Sequence, residues 1–122
     1  MKEIVIVIGD RMGKGQKVAA GIESVAGCKA VVVPGMAADM KLGDVMQKEN
    51  ADLGISFCGS GGAGALTAKN KYGYEVRYGM RSVEEGETAI AEGCKVLGFG
   101  FMDTEELGRR IATAYVKKYG NQ

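Results

Sequence analysis

The sequence predicts a three-layer α/β/α sandwich of Rossmann-like type, with about five parallel strands, built as a single α/β domain over residues 1–122. Three observations lead there. Ile4 to Ile8 is an uninterrupted β-branched run, as expected of a strand covered on both faces. Similar runs alternate with stretches whose apolar residues recur at helical spacing, in the order βαβαβαβαβα. Glycine or proline marks most of the junctions between them.

The first strand ends at Gly9-Asp10. From Gln16, apolar residues at Val18, Ala19, Ile22 and Val25 give an amphipathic helix that stops at Gly27. Ala30 to Val33 is the second strand, closed by Pro34-Gly35. Ala38, Leu42, Val45 and Met46 form the second helical stripe, with Asp39 near its start and Lys48 near its end, as the helix dipole favours. Leu53 to Phe57 is the third strand.

A short Ala/Leu helix is expected to reach about Asn70 after a glycine-rich loop, and Tyr74 to Tyr78 alternates as a fourth strand. Ser82 with Glu85 forms a capping box for a helix that runs to Glu92, and Asp103 with Glu106 a second one for the final helix, marked by Leu107, Ile111 and Tyr115. Val96 to Phe101, between these two helices, is the fifth strand.

Composition excludes several function classes. A net charge of +1 with both signs scattered leaves no electrostatic footprint for nucleic acid or an anionic membrane, so a small-molecule partner is expected. The apolar run after Met1-Lys2-Glu3 is too short for a signal sequence or a membrane span, which predicts a cytoplasmic protein. Three cysteines without a C-x-x-C pair, and no histidine, argue against a disulfide framework and a zinc site; no metal and no cofactor is expected. The missing histidine also removes every His-dependent acid–base or triad mechanism.

In open α/β sheets ligands bind beyond the carboxyl ends of the strands, which separates the cysteines. Cys28 and Cys94 follow Gly27 and Gly93 at strand entrances and read as small packing residues. Cys58 follows the third strand and precedes Gly59-Ser60-Gly61-Gly62-Ala63-Gly64, at the ligand edge. Glycines let backbone N–H groups turn toward a ligand, and the next helix adds its positive end. Both favour an anion and a lowered thiol pKa at Cys58. Tight strand-to-helix packing is the competing explanation for such a glycine run.

The loop Gly9-Asp10-Arg11-Met12-Gly13-Lys14-Gly15 resembles a nucleotide-binding P-loop, but it is one residue short and has Gly15 where the magnesium-binding Ser or Thr belongs. Gly9, Asp10, Arg11 and Lys14 therefore read as ligand-edge groups or as a solvated loop. Arg77 and Arg81 flank the end of the fourth strand, and Arg81 is placed to bind a phosphate bidentately. Arg109 and Arg110 read as surface charge.

Ser56-Phe57-Cys58-Gly59-Ser60, with Thr67-Ala68-Lys69-Asn70-Lys71-Tyr72-Gly73-Tyr74, resembles the bacterial glycine-rich SFCGS family over the whole chain. That resemblance implies a genomic setting beside integral-membrane proteins and enzymes of sugar-acid catabolism, and hence a membrane transporter component as a candidate partner. Cys58-Gly59-Ser60-Gly61, Ala68-Lys69-Asn70-Lys71, Gly73 and Val96-Leu97-Gly98-Phe99-Gly100 are similar to the B-type ribose-5-phosphate isomerases and galactose-6-phosphate isomerase subunits. This second likeness implies Cys58 as the proton-moving base, the Gly59 to Gly64 loop as the enediolate cradle, Asp10 as the aspartate after the first strand, and a homodimer. That family's histidines are replaced here by the neighbourhoods of Arg11 and of Met80-Arg81. A third likeness is to the phosphocysteine B components of sugar phosphotransferase systems, although their cysteine usually follows the first strand.

Three function classes follow. One is a binding module for a small anionic sugar phosphate or sugar acid, linked to carbohydrate uptake or catabolism. The others are an isomerase-like enzyme with Cys58 as base and a phosphocarrier with Cys58 as acceptor.

Overall fold

The structure, a computed structural model, describes residues 3–10, 14–59 and 61–120. Five strands, β1 (Ile4–Asp10), β2 (Cys28–Val32), β3 (Leu53–Phe57), β4 (Val76–Met80) and β5 (Val96–Phe99), form one parallel sheet in the order β2-β1-β3-β5-β4. Five helices separate and follow them: α1 (Gln16–Glu23), α2 (Leu42–Glu49), α3 (Ala63–Tyr72), α4 (Val83–Ala91) and α5 (Glu105–Tyr119). A short 3-10 turn, Asp39–Lys41, leads into α2.

The two-residue period of the strands sorts their side chains into two cores. Ile4, Ile6 and Ile8 of β1, Ile55 and Phe57 of β3, and Leu97 and Phe99 of β5 point to one face, where Val18, Ile22, Ile90, Leu107 and Ile111 cover them from α1, α4 and α5. Phe57 and Phe99 stack there with ring centroids 5.7 Å apart. Val7 and Val96 point to the other face, against Leu42, Met46, Ala65 and Ala68 of α2 and α3. The central strands β3 and β5 are buried along their whole length, which is why neither carries a charged residue.

Glycines inside elements set the spacing between layers. A Cβ on Gly21 of α1 would lie 1.9 Å from the Glu105 carbonyl oxygen, and one on Gly108 of α5 would lie 2.1 Å from that of Val18. The two helices therefore touch backbone to backbone. Sequence reading placed the glycines mainly at element ends and missed this use.

Several element boundaries differ from the expected ones: β2 runs Cys28–Val32 rather than Ala30–Val33, and β5 ends at Phe99 rather than Phe101. β4 starts at Val76 rather than Tyr74 and reaches Met80. The α5 N-cap is Thr104, whose Oγ1 accepts the Leu107 N–H at 3.1 Å, and not Asp103, because an extended φ/ψ at Thr104 brings its own hydroxyl over the first turn. Arg77 lies within β4 and pairs with Glu92 instead of flanking the strand end. The Ser82 cap is as expected, its Oγ accepting the Glu85 N–H at 3.2 Å. No helix among the described residues is long and apolar enough to cross a membrane.

Candidate functional site

Because all strands are parallel, the residues that follow them share one edge of the sheet. β1 and β3 are neighbours with Asp10 in register with Phe57, so Asp10 and Cys58 stand at the carboxyl ends of adjacent strands. Cys58 N–H donates to the Phe99 carbonyl at 3.2 Å, and Gly100 N–H donates to that of Met80 at 3.1 Å. These bonds tie the ends of β3, β5 and β4 together, with Gly100 between Cys58 and Arg81. The Arg81 guanidinium is exposed and lies beside Gly100, 3.9 Å from where a Cβ on that glycine would stand. Two strand spacings, roughly 10 Å, thus separate the positions of Cys58 and Arg81.

Cys58 is half-buried, and its Sγ accepts the backbone N–H groups of Gly62 at 3.2 Å and Ala63 at 3.1 Å. These are among the first donors of α3, which no intrahelical carbonyl satisfies. The next donor, Gly64 N–H, goes to Asp39 Oδ2 at 3.1 Å. Asp39 is buried, its Oδ1 also accepts the Ser56 hydroxyl, and it is hydrogen-bonded to Cys58. Burial pushes the Asp39 carboxyl up, against the hydrogen bonds from Ser56, Gly64 and Cys58 that pull it down. The positive end of α3 is therefore occupied by the protein's own sulfur and carboxylate.

The glycine-rich loop divides by position. Gly59 and Ala63 are exposed. Gly61, Gly62 and Gly64 are buried, with little clearance: a Cβ on Gly61 would lie 2.6 Å from the Gly79 Cα, one on Gly62 2.4 Å from the Gly98 Cα, and one on Gly64 2.0 Å from the Asp39 carbonyl oxygen. Gly61 and Gly62 also have φ of +95° and +104°. Close packing is what these three glycines provide, and the N–H groups it exposes are aimed at Cys58 and Asp39. Gly9 is buried too, with the Ala38 carbonyl oxygen 3.0 Å from its would-be Cβ. Arg11 and Ser60 lie outside the described residues.

Sequence reasoning took Asp39 as a helix-start charge and missed its place here. Cys28 is half-buried at the start of β2 and Cys94 is buried before β5; burial pushes both thiols up. Asp10 is buried, 3 % exposed. A groove of about 610 Å³ between α4 and α5, lined by Glu87, Ala91, Arg109, Thr113 and Lys117, is formed by the later turns of both helices and lies away from the strand ends. Arg110 is clamped across those helices by Glu84 and Glu87.

Residues 4–118 match the family described as Glycine-rich SFCGS. No curated protein sequence matches the chain. Among solved structures, the type B ribose 5-phosphate isomerase of Trypanosoma brucei superposes with a TM-score of 0.70 at 17% identity, covering 100% of this chain and 91% of that one. The ribose-5-phosphate isomerase B of Mycoplasma genitalium, solved with bound ribulose-5-phosphate, gives 0.70 at 15% identity over 100% and 89% of the two chains. The enzyme of Clostridium thermocellum gives 0.64 at 17%, over 98% and 88%. At these identities the likeness shows a shared fold.

Proposed function

The chain belongs to the glycine-rich SFCGS family, and from that premise we propose that it binds a small anionic metabolite, a sugar phosphate or sugar acid, over Cys58 and Gly59, in carbohydrate uptake or catabolism. One observation carries the reading: the Cys58 sulfur, gripped by two N–H groups of α3, stands on the same sheet edge as the exposed Arg81 cation. Asp10 and Asp39 repel an anion from the β1 side, so the anionic group of the ligand points toward Arg81 and its hydroxyls toward Asp10. The fold shared with enzymes of a sugar phosphate supports the ligand class.

Thermal-shift screening of the whole chain against sugar phosphates and sugar acids tests this. Stabilisation that grows with ligand concentration is expected, and no stabilisation by any of them at millimolar concentration overturns the reading.

An isomerase-like activity is the second reading, favoured by the hydrogen bond between the Cys58 thiol and a buried carboxylate. With no histidine in the chain, such an enzyme would act on an open-chain sugar. Cys58→Ser would then abolish turnover and leave binding nearly intact, whereas a phosphocarrier would gain a phosphate mass from a donor protein. The homodimer implied by the likeness to the isomerases belongs to the same proposal. Exposed Met36, Met40, Tyr78 and Phe101 support it, and light scattering tests it.

A further inference from the structure

Ser56 and Cys58, two residues apart, share the period-2 face of β3 that looks toward α2 and α3. Asp39 enters that face from the turn ahead of α2. Three consecutive N–H groups at the start of α3 then serve both acidic groups, Gly62 and Ala63 the sulfur and Gly64 the carboxylate. Consecutive donors in one helical turn hold their acceptors within a few ångströms of each other, and the hydrogen bond between Cys58 and Asp39 closes the gap. An S–H is a donor and a sulfur an acceptor, so Cys58 gives its proton to Asp39 while it accepts from the helix.

We propose that Asp39 is the proton partner of Cys58: thiol and buried carboxylate share one proton, and the proton that leaves the sulfur passes to an Asp39 oxygen. In that step the S–H bond breaks, its electron pair stays on sulfur, and an O–H bond forms on Asp39. The net charge of the pair is unchanged, and no other base is needed. A thiolate made this way keeps both α3 N–H bonds, and the carboxylic acid keeps those from Ser56 and Gly64. The inference deepens the proposed site, since it names the residue that controls whether its sulfur is a base or nucleophile. Asp39 acts through Cys58 and is a positioning residue.

Burial makes the coupling strong. Asp39 is 6 % exposed, so solvent screens the pair poorly. The elements packed most closely against its turn are β1, α2 and α3, and the charged groups there are Asp10 ending β1, Lys41 in the turn itself, Asp44, Lys48 and Glu49 of α2, and Lys69 and Lys71 of α3. Of these, Asp44 is engaged by Lys71 and Tyr72 on the outside of α2 and α3. The shift of the Asp39 carboxyl is caused by burial, Ser56, Gly64 and Cys58.

The test is the rate of Cys58 alkylation by iodoacetamide against pH, read by peptide mass in the ligand-free full chain, for wild type and Asp39→Asn. Removing the neighbouring charge should lower the Cys58 midpoint by at least about one pH unit, a tenfold gain in thiolate at fixed pH. A midpoint that is unchanged or raised overturns the proposal. Loosened packing around Cys58 would instead raise its reactivity at every pH without moving the midpoint. Should Asp39→Asn fail to fold, the carboxyl carbon resonance of Asp39 in the unsubstituted protein decides. It should move a second time at the pH where Cys58 loses its proton, and a single step overturns the proposal. Neither measurement uses a ligand, so failure here is distinct from failure to bind sugar phosphates.

Discussion

A Cβ on Gly62 would lie 2.4 Å from the Cα of Gly98, so the loop after Cys58 rests directly on the backbone of β5. Nothing separates the two except hydrogen atoms. The Gly79 N–H donates to the Gly61 carbonyl at 2.7 Å and fastens the same loop to β4. The position of the N–H groups that grip Cys58 is thus set by glycines on two other strands.

Gly98→Ala should therefore unfold the site from below. Its Cβ would meet the Gly61 carbonyl oxygen and the Tyr78 Cβ at 2.8 Å each, with little room for either to yield. We expect a loss of about 1–3 kcal/mol in urea unfolding, with weaker ligand-dependent stabilisation. Gly100→Ala, whose Cβ would meet only the Arg81 guanidinium at 3.9 Å, should change stability by less than about 0.5 kcal/mol. Equal losses for both would show that the loop does not lean on β5.

Arg81→Ala should weaken binding of whichever anion stabilises the protein. A hydrogen-bonded charge of this kind contributes about 1.5–3 kcal/mol, which is roughly 10- to 100-fold in Kd. Calorimetric titration of the variant measures it, and rising salt should erode wild-type binding more than the variant's. Unchanged affinity would place the anionic group elsewhere.

Asp39 gives stability an unusual pH dependence. Its folded carboxyl titrates above the ordinary value of 3.8, with burial as the main cause, so the folded state holds this proton more tightly than the unfolded chain does. Its contribution is fully present below the unfolded pKa and is lost as pH rises through the raised folded one. Wild type should therefore lose stability relative to Asp39→Asn on going from below pH ~3.8 toward neutral. The Tm difference between the two proteins, followed against pH, cancels the remaining carboxylates. A difference that moves the other way would show that the hydrogen bonds outweigh burial.

The α5 cap separates two adjacent residues. Thr104→Ala removes the acceptor for the Leu107 N–H and should cost about 1 kcal/mol, whereas Asp103→Ala should cost a few tenths. Thermal unfolding of the pair checks this.

What was legible in the chain follows from how local each signal is. Leu53–Phe57 came out at its observed bounds because Leu53, Ile55 and Phe57, alternating between Asp52 and the glycine-rich loop, need no partner to be recognised. Ser82 found its cap partner three residues away. That Asp10 and Cys58 both stand at the ligand edge followed from a general rule of parallel sheets. Asp39 escaped because its partners, Ser56 and Gly64, are 17 and 25 residues distant and no periodicity links them. The helix-interior glycines escaped for the same reason: Gly21 looks like a defect in α1 until α5 is laid against it. Between Asp103 and Thr104, both good caps, the choice depended on backbone angles that composition does not encode.

The backbone contact between Gly21 and α5 bears on how the protein is made. On the ribosome, α1 emerges well before residues 105–119, whose surface seals it. Until then Val18 and Ile22 have only part of their cover, and a nascent chain stalled before Gly108 presents this half-dressed apolar stripe to whatever chaperone attends the exit tunnel. A helix more than eighty residues downstream is thus the one that latches the first half shut.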